Sequence, residues 1–160
     1  AEGAMVMDAP AGPFKLTARA DRIDVGEHAL TITDYKTGAS LTTLATQASR
    51  GEAPQLPLEA AIAAANGFAH VPELPVGRLQ YISASGGEPP GAVREVKLDD
   101  VAAHAETARA DLLKLVAQFD DVATPYRAVR RARFSYDYDA YAQLARVAEW
   151  AASDGEENAA

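Results

Sequence analysis

Three side chains within residues 18 to 38, ARADRIDVGEHALTITDYKTG, have the types and spacing to do chemistry: Asp21, Asp34 and Lys36. Read as a β-hairpin turning at Gly26-Glu27, the segment sets Val25 opposite His28 and Asp21 opposite Ile32, so that Asp34 is the diagonal neighbour of Asp21 on one face. Lys36 follows on that face by the strand period of two. Ile23, Val25, Leu30 and Ile32 share the face, which predicts an apolar end entering a core and a polar end at its margin. Two carboxylates this close repel unless a cation or a shared proton compensates. All-oxygen ligation favours a hard ion, Mg²⁺ or Mn²⁺, over zinc. Lys36, one side chain beyond a ligand, is placed to orient or deprotonate an attacking water and to stabilise charge developing on a phosphoryl oxygen. These are the parts needed for metal-assisted phosphodiester hydrolysis. The alternative reading is a solvated face crossed by the ordinary ion pairs Asp21–Lys36 and Asp34–Arg19.

The elements that must position these residues follow from the pattern around them. Residues 14–25 and 28–36 read as strands, and 3–9 as an added edge strand. Residues 37–54, rich in Gly, Ser and Thr, read as a loop. The alanine-rich run QLPLEAAIAAAN, 55–66, reads as a helix with Pro57 in its first turn and Gly67 as its stop. Strands are expected again at 76–85 and 92–98. Helical spacing of apolar residues predicts a helix over 99–121, and a last one over 139–152. The order of strands, helix, strands and helices defines an α/β class, a mixed sheet flanked by helices. The 160 residues are expected to form a single domain over 1–153, with 154–160 as a disordered tail.

Composition narrows the chemistry further. There is no cysteine, which removes thiolate zinc sites, cysteine nucleophiles and a cysteine-ligated iron–sulfur cluster. No apolar run has the length of a membrane span, and the opening AEGAMVMDAP lacks the regions of a signal peptide, so no membrane partner and a cytoplasmic setting are expected. The formal charge of −8 argues against a simple basic-surface binder of nucleic acid. The segment 126–134, YRAVRRARF, is the local exception, with Arg127, Arg130, Arg131 and Arg133 and no acid. Those arginines suit phosphate contacts, or equally the docking of another protein surface. Asp24 faces away from Asp21 beside Arg22 and reads as a solvated pair. His28, His70 and His104 read as surface residues.

The carboxylate of ARADRID, then DYKTG, then PQLPLEA opening a helix resemble the RecB-type branch of the PD-(D/E)xK nucleases, and within it the C-terminal nuclease domain of AddB-type helicase-nuclease subunits, alphaproteobacterial type. The likeness covers residues 2–60 with specific motifs, and PYRAVRRARF with residues 139–150 less specifically. It implies a restriction-endonuclease-like fold. It also implies a Mg²⁺-dependent exonuclease acting on a single-stranded DNA end delivered by a helicase, partnered by an AddA-type subunit in double-strand break repair. By the same likeness Asp21 and Asp34 are metal ligands and the carbonyl of Tyr35 a further one. Glu2 joins them from the first strand, Lys36 is the catalytic lysine, and Gln55 positions DNA or supports the site.

Three departures stand out. Ala18 replaces the family's glycine, Glu59 stands where the family has a tyrosine, so no role passes to it, and no cysteines are present to hold a cluster. The segment is also expected to be a fragment lacking upstream helices. The alternative function is a catalytically inactive nuclease fold that guides DNA or docks a protein.

Overall fold

The computed structural model describes residues 1–37, 40–84, 86 and 91–125. The chain divides into two units, 1–122 and 123–160, and the fold described is that of the first. The expected helix over 139–152, the tail, and Arg127, Arg130, Arg131 and Arg133 lie outside the described residues.

Among the described residues the elements run β1 (Glu2–Ala9), β2 (Gly12–Arg19), β3 (Arg22–Val25), β4 (Leu30–Lys36), α1 (Leu41–Ser49), α2 (Gln55–Ala64), β5 (Val76–Ser83), β6 (Ala92–Glu95) and α3 (Val101–Asp120). β1 and β2 form an antiparallel hairpin, while β3-β4-β5-β6 form a mixed sheet in which only β4 and β5 are parallel. A parallel pair needs a crossover, and α1 and α2 supply it. This is the mixed α/β, restriction-endonuclease-like architecture that the sequence predicts.

The strand expected over 14–25 breaks at Ala20-Asp21 into β2 and β3. The hairpin that follows closes over 26–29 rather than at Gly26-Glu27. Gly26 N–H donates to the Ala29 carbonyl at 3.0 Å, and that oxygen would lie only 2.8 Å from a Cβ at position 26, so glycine is required. Arg22 therefore faces Thr33, Ile23 faces Ile32 and Val25 faces Leu30. Every partner moves by two residues, which preserves the face on which each side chain lies. Val25 is exposed, so the apolar end of that face begins at Leu30 and Ile32, which are fully buried.

The segment 37–54 is not all loop: it holds α1. Ser40 caps it, accepting from Thr43 N–H at 3.5 Å, and Leu41, Ala45 and Ala48 make its buried stripe. Threonines at 42, 43 and 46 are weak helix formers and hide that stripe. α2 is buried nearly all round, from Leu56 through Ala63, against β4, β5, β1 and α3. Its end is set by Asn66, which takes the left-handed conformation at φ 55°, rather than by Gly67. Gly67 has another task. Its N–H donates to Ile62 O at 2.8 Å and its carbonyl accepts from Ala4 N–H at 3.0 Å, joining the end of α2 to β1.

α3 starts at a cap, Asp100 Oδ1, which accepts from Ala103 N–H at 3.0 Å. His104 on α3 is half-buried rather than on the surface, its ring 2.9 Å from the carbonyl of Ala48 at the end of α1. His28 and His70 are exposed. No helix among the described residues is long and apolar enough to cross a membrane.

A Cβ at position 67 would collide with the carbonyl oxygen of Ala4 and the side chain of Ile62. Gly67→Ala is therefore expected to destabilise the fold by about 1–3 kcal/mol, as overpacking of a filled site does. Urea unfolding at equilibrium checks this.

Candidate active site

The site forms where β3 begins and β4 ends. β4 runs with even-numbered side chains toward the core, Leu30 and Ile32 buried completely, and Asp34 continues that row at 3 % exposure. Beside it on β5 stands Tyr81, also buried, paired by the parallel register. Burial and the neighbouring charges of Asp34 and Glu59 push the Tyr81 phenol up to about 12. Asp21 lies one step before β3, which brings it level with Asp34 in the register that pairs Arg22 with Thr33. Asp21 is exposed, and its Oδ2 accepts from the backbone N–H of Tyr35 at 3.0 Å. In a strand the N–H and C=O of one residue lie on the same edge, so the carbonyl of Tyr35 also faces the Asp21 side. The Tyr35 side chain turns outward, its hydroxyl 3.4 Å from Arg22, which in turn pairs with Asp24 at 2.8 Å.

The first residue of α2 completes the cluster. Gln55 Nε2 donates to Asp34 Oδ1 at 2.7 Å and to Glu59 Oε1 at 3.2 Å, while its Oε1 accepts from Lys36 Nζ at 3.3 Å. Lys36 Nζ also sits 2.8 Å from Asp34 Oδ2. That contact is an ion pair without hydrogen-bond alignment, and Asp34 Oδ2 has no hydrogen-bond partner among the described residues. The pairings Asp21–Lys36 and Asp34–Arg19 are not made; Lys36 goes to Asp34 instead.

The structure thus gathers Asp21, Asp34, Lys36, Gln55 and the backbone of Tyr35 at one end of the sheet. Glu2 is exposed on β1, level with Arg19 and opposite in direction to the buried Met5 and Met7. Among the described residues no three His, Cys, Asp or Glu side chains converge to hold a metal on their own. The oxygen set here is two carboxylates and a carbonyl, one buried carboxylate oxygen lacking a hydrogen bond. That suits an ion such as Mg²⁺, which keeps several waters and takes only one or two protein carboxylates.

Glu59 is the site residue that sequence reading passed over. It lies one turn beyond Gln55, 2 % exposed, with Oε2 unpartnered among the described residues. The signal was present: Gln55 and Glu59 share a face at i, i+4, on a helix whose alanines leave no solvated side. A cleft of about 250 Å³ lined by Arg19, Thr17, Gln55 and Glu59 adjoins it.

An acid pair, a lysine and an amide thus lie together at one end of a mixed sheet. The family model of the PD-(D/E)XK nuclease superfamily matches residues 2–143, and the chain belongs to that superfamily. Its members generally use divalent metals. No curated protein and no solved structure matches the chain.

Burial, foremost, pushes the Glu59 carboxyl above its ordinary range; the Gln55 hydrogen bond opposes this, Asp34 and Asp21 reinforce it, and Lys36 opposes it. The folded state therefore binds this proton more tightly than the unfolded chain. Its contribution to stability is complete below the ordinary carboxylate value of 4.5 and is lost as pH rises through the raised value. Glu59→Gln is expected to lose less stability than the parent as pH rises above that range, read as urea midpoints across a pH series.

Proposed function

We propose that this domain hydrolyses DNA phosphodiester bonds with Mg²⁺ or Mn²⁺, as the exonuclease part of an AddB-type helicase-nuclease subunit that processes double-strand breaks. The observation that carries this reading is the cluster of Asp21, Asp34, Lys36 and Gln55 at one sheet end, within a chain of the nuclease superfamily. Asp21, Asp34 and the carbonyl of Tyr35 would hold the cation. When bound, the cation polarises the phosphoryl group and eases ionisation of the attacking water.

The chain's own residues do the rest. Asp34 is held by Gln55 so that one oxygen is turned away from the amide. Lys36, tethered to Gln55 Oε1, places its ammonium beside the acid pair, where it orients the water and stabilises charge appearing on a phosphoryl oxygen. The exposed side of Asp21 leaves the site open to a strand of DNA. Arg127, Arg130, Arg131 and Arg133 are proposed phosphate contacts. The proposed substrate is a single-stranded end delivered by a helicase, with an AddA-type partner subunit, in the cytoplasm.

Calorimetry with Mn²⁺ and cleavage of single-stranded DNA test this together. The parent is expected to bind Mn²⁺ and cleave, and Asp34→Ala to lose both. Lys36→Ala should keep Mn²⁺ binding and cleave on the order of 10²–10³ times more slowly, the loss typical of one charge-stabilising donor. Binding without cleavage in the parent would favour the guide or docking role; no binding would sink the nuclease reading.

A further inference from the structure

Glu59 is a buried carboxyl that the proposed chemistry does not use. It is 2 % exposed, and one of its oxygens has no hydrogen-bond partner among the described residues. Such a group is a burden on the fold, because an apolar side chain of similar volume would avoid the desolvation and leave no unpaired oxygen. Its visible effect is on Gln55. A glutamine amide has two ends nearly alike in shape and opposite in chemistry, so packing alone does little to choose between its two orientations. Here the nitrogen faces two acceptors, Asp34 Oδ1 at 2.7 Å and Glu59 Oε1 at 3.2 Å, and the oxygen faces the ammonium of Lys36 at 3.3 Å.

Turned over, the amide would set its oxygen against both carboxyls and its N–H₂ against Lys36. Asp34 opposes that flip with one bond, but in the reaction Asp34 must also serve another partner. Glu59 has no such second duty. Among the described residues the side-chain amide of Gln55 bonds to Asp34, Lys36 and Glu59, and of these Glu59 is the one that the proposed chemistry does not use.

We propose that Glu59 is a positioning residue: it holds Gln55 in one orientation, and through that amide sets the placement of Asp34 and Lys36. The consequence for cation binding rests on the nuclease reading; the orientation of Gln55 does not.

The test uses the whole 160-residue chain with Glu59→Met and Glu59→Gln. Three quantities are read: the side-chain amide signals of Gln55 by ¹⁵N NMR without added cation, the Tm, and the Mn²⁺ affinity by calorimetry. Glu59→Met is expected to fold with a Tm at or above the parent's. Its Gln55 amide signals should shift and lose their protection from exchange, and Mn²⁺ should bind about 10-fold to 100-fold more weakly, as when an outer partner of a metal ligand is removed. Glu59→Gln still offers an acceptor at the same place and should keep the amide signals and hold Mn²⁺ affinity within roughly 3-fold of the parent. Unchanged Gln55 signals in Glu59→Met overturn the proposal. So does a Glu59→Gln variant that behaves like Glu59→Met, or a Glu59→Met variant that fails to fold, since Glu59 would then be holding the fold rather than the amide. If Gln55 responds as expected but the parent itself binds no Mn²⁺, the nuclease reading falls and the orienting role stands.

Discussion

An ionised carboxylate taken out of water must be compensated, and Asp34 is the carboxylate around which this end of the molecule is arranged. It occupies the position after Leu30 and Ile32 in a row of buried side chains, where another apolar residue would pack without difficulty. Instead the fold brings a lysine from the same strand, an amide from the first residue of α2 and, from just before β3, a second acid whose charge makes matters worse. Among the described residues only part of that charge is answered. The lysine supplies one positive charge to two acids, and one buried oxygen of Asp34 has no hydrogen bond among the described residues. On the nuclease reading proposed above, a divalent cation would answer the remainder.

The sheet determines how accurately these groups are held. β4 is an interior strand, paired with β3 as far as Thr33 and with β5 through Lys36, so Asp34 is held by backbone pairing on the β5 side, while Asp21 hangs at the end of β3 and is anchored by its bond to Tyr35 N–H. The two acids therefore differ in kind. One is rigid and dry, the other exposed and held by a single directed contact. On the proposed nuclease reading, a centre that admits water and a strand of nucleic acid would need one side of each sort.

Much of this was legible in the residues alone, because side-chain parity survives errors of detail. Asp21, Asp34 and Lys36 were placed on one face with a register two residues off, and the face was still right. The error came from the turn, where the approach of Ala29 to Gly26 moved the closure, an event that composition does not reveal. α1 was missed because threonines conceal a stripe of Leu41, Ala45 and Ala48 that only the packed core makes decisive. Glu59 was passed over, despite sharing a face with Gln55, because an acid on a helix ordinarily belongs to water, and its burial depends on what packs around α2.

Helix α2 is fastened at both ends. At its start Gln55 bonds to Asp34 and Lys36, and at its finish Gly67 accepts from Ala4 of β1, so the hairpin and the central sheet are tied through one short rod of alanines. A rod held in this way cannot fray at one terminus without loading the other. The backbone of α2 thereby links the strand that carries Asp34 to the β1–β2 hairpin. The placement of the centre is thus built on the same helix that closes the hydrophobic interior.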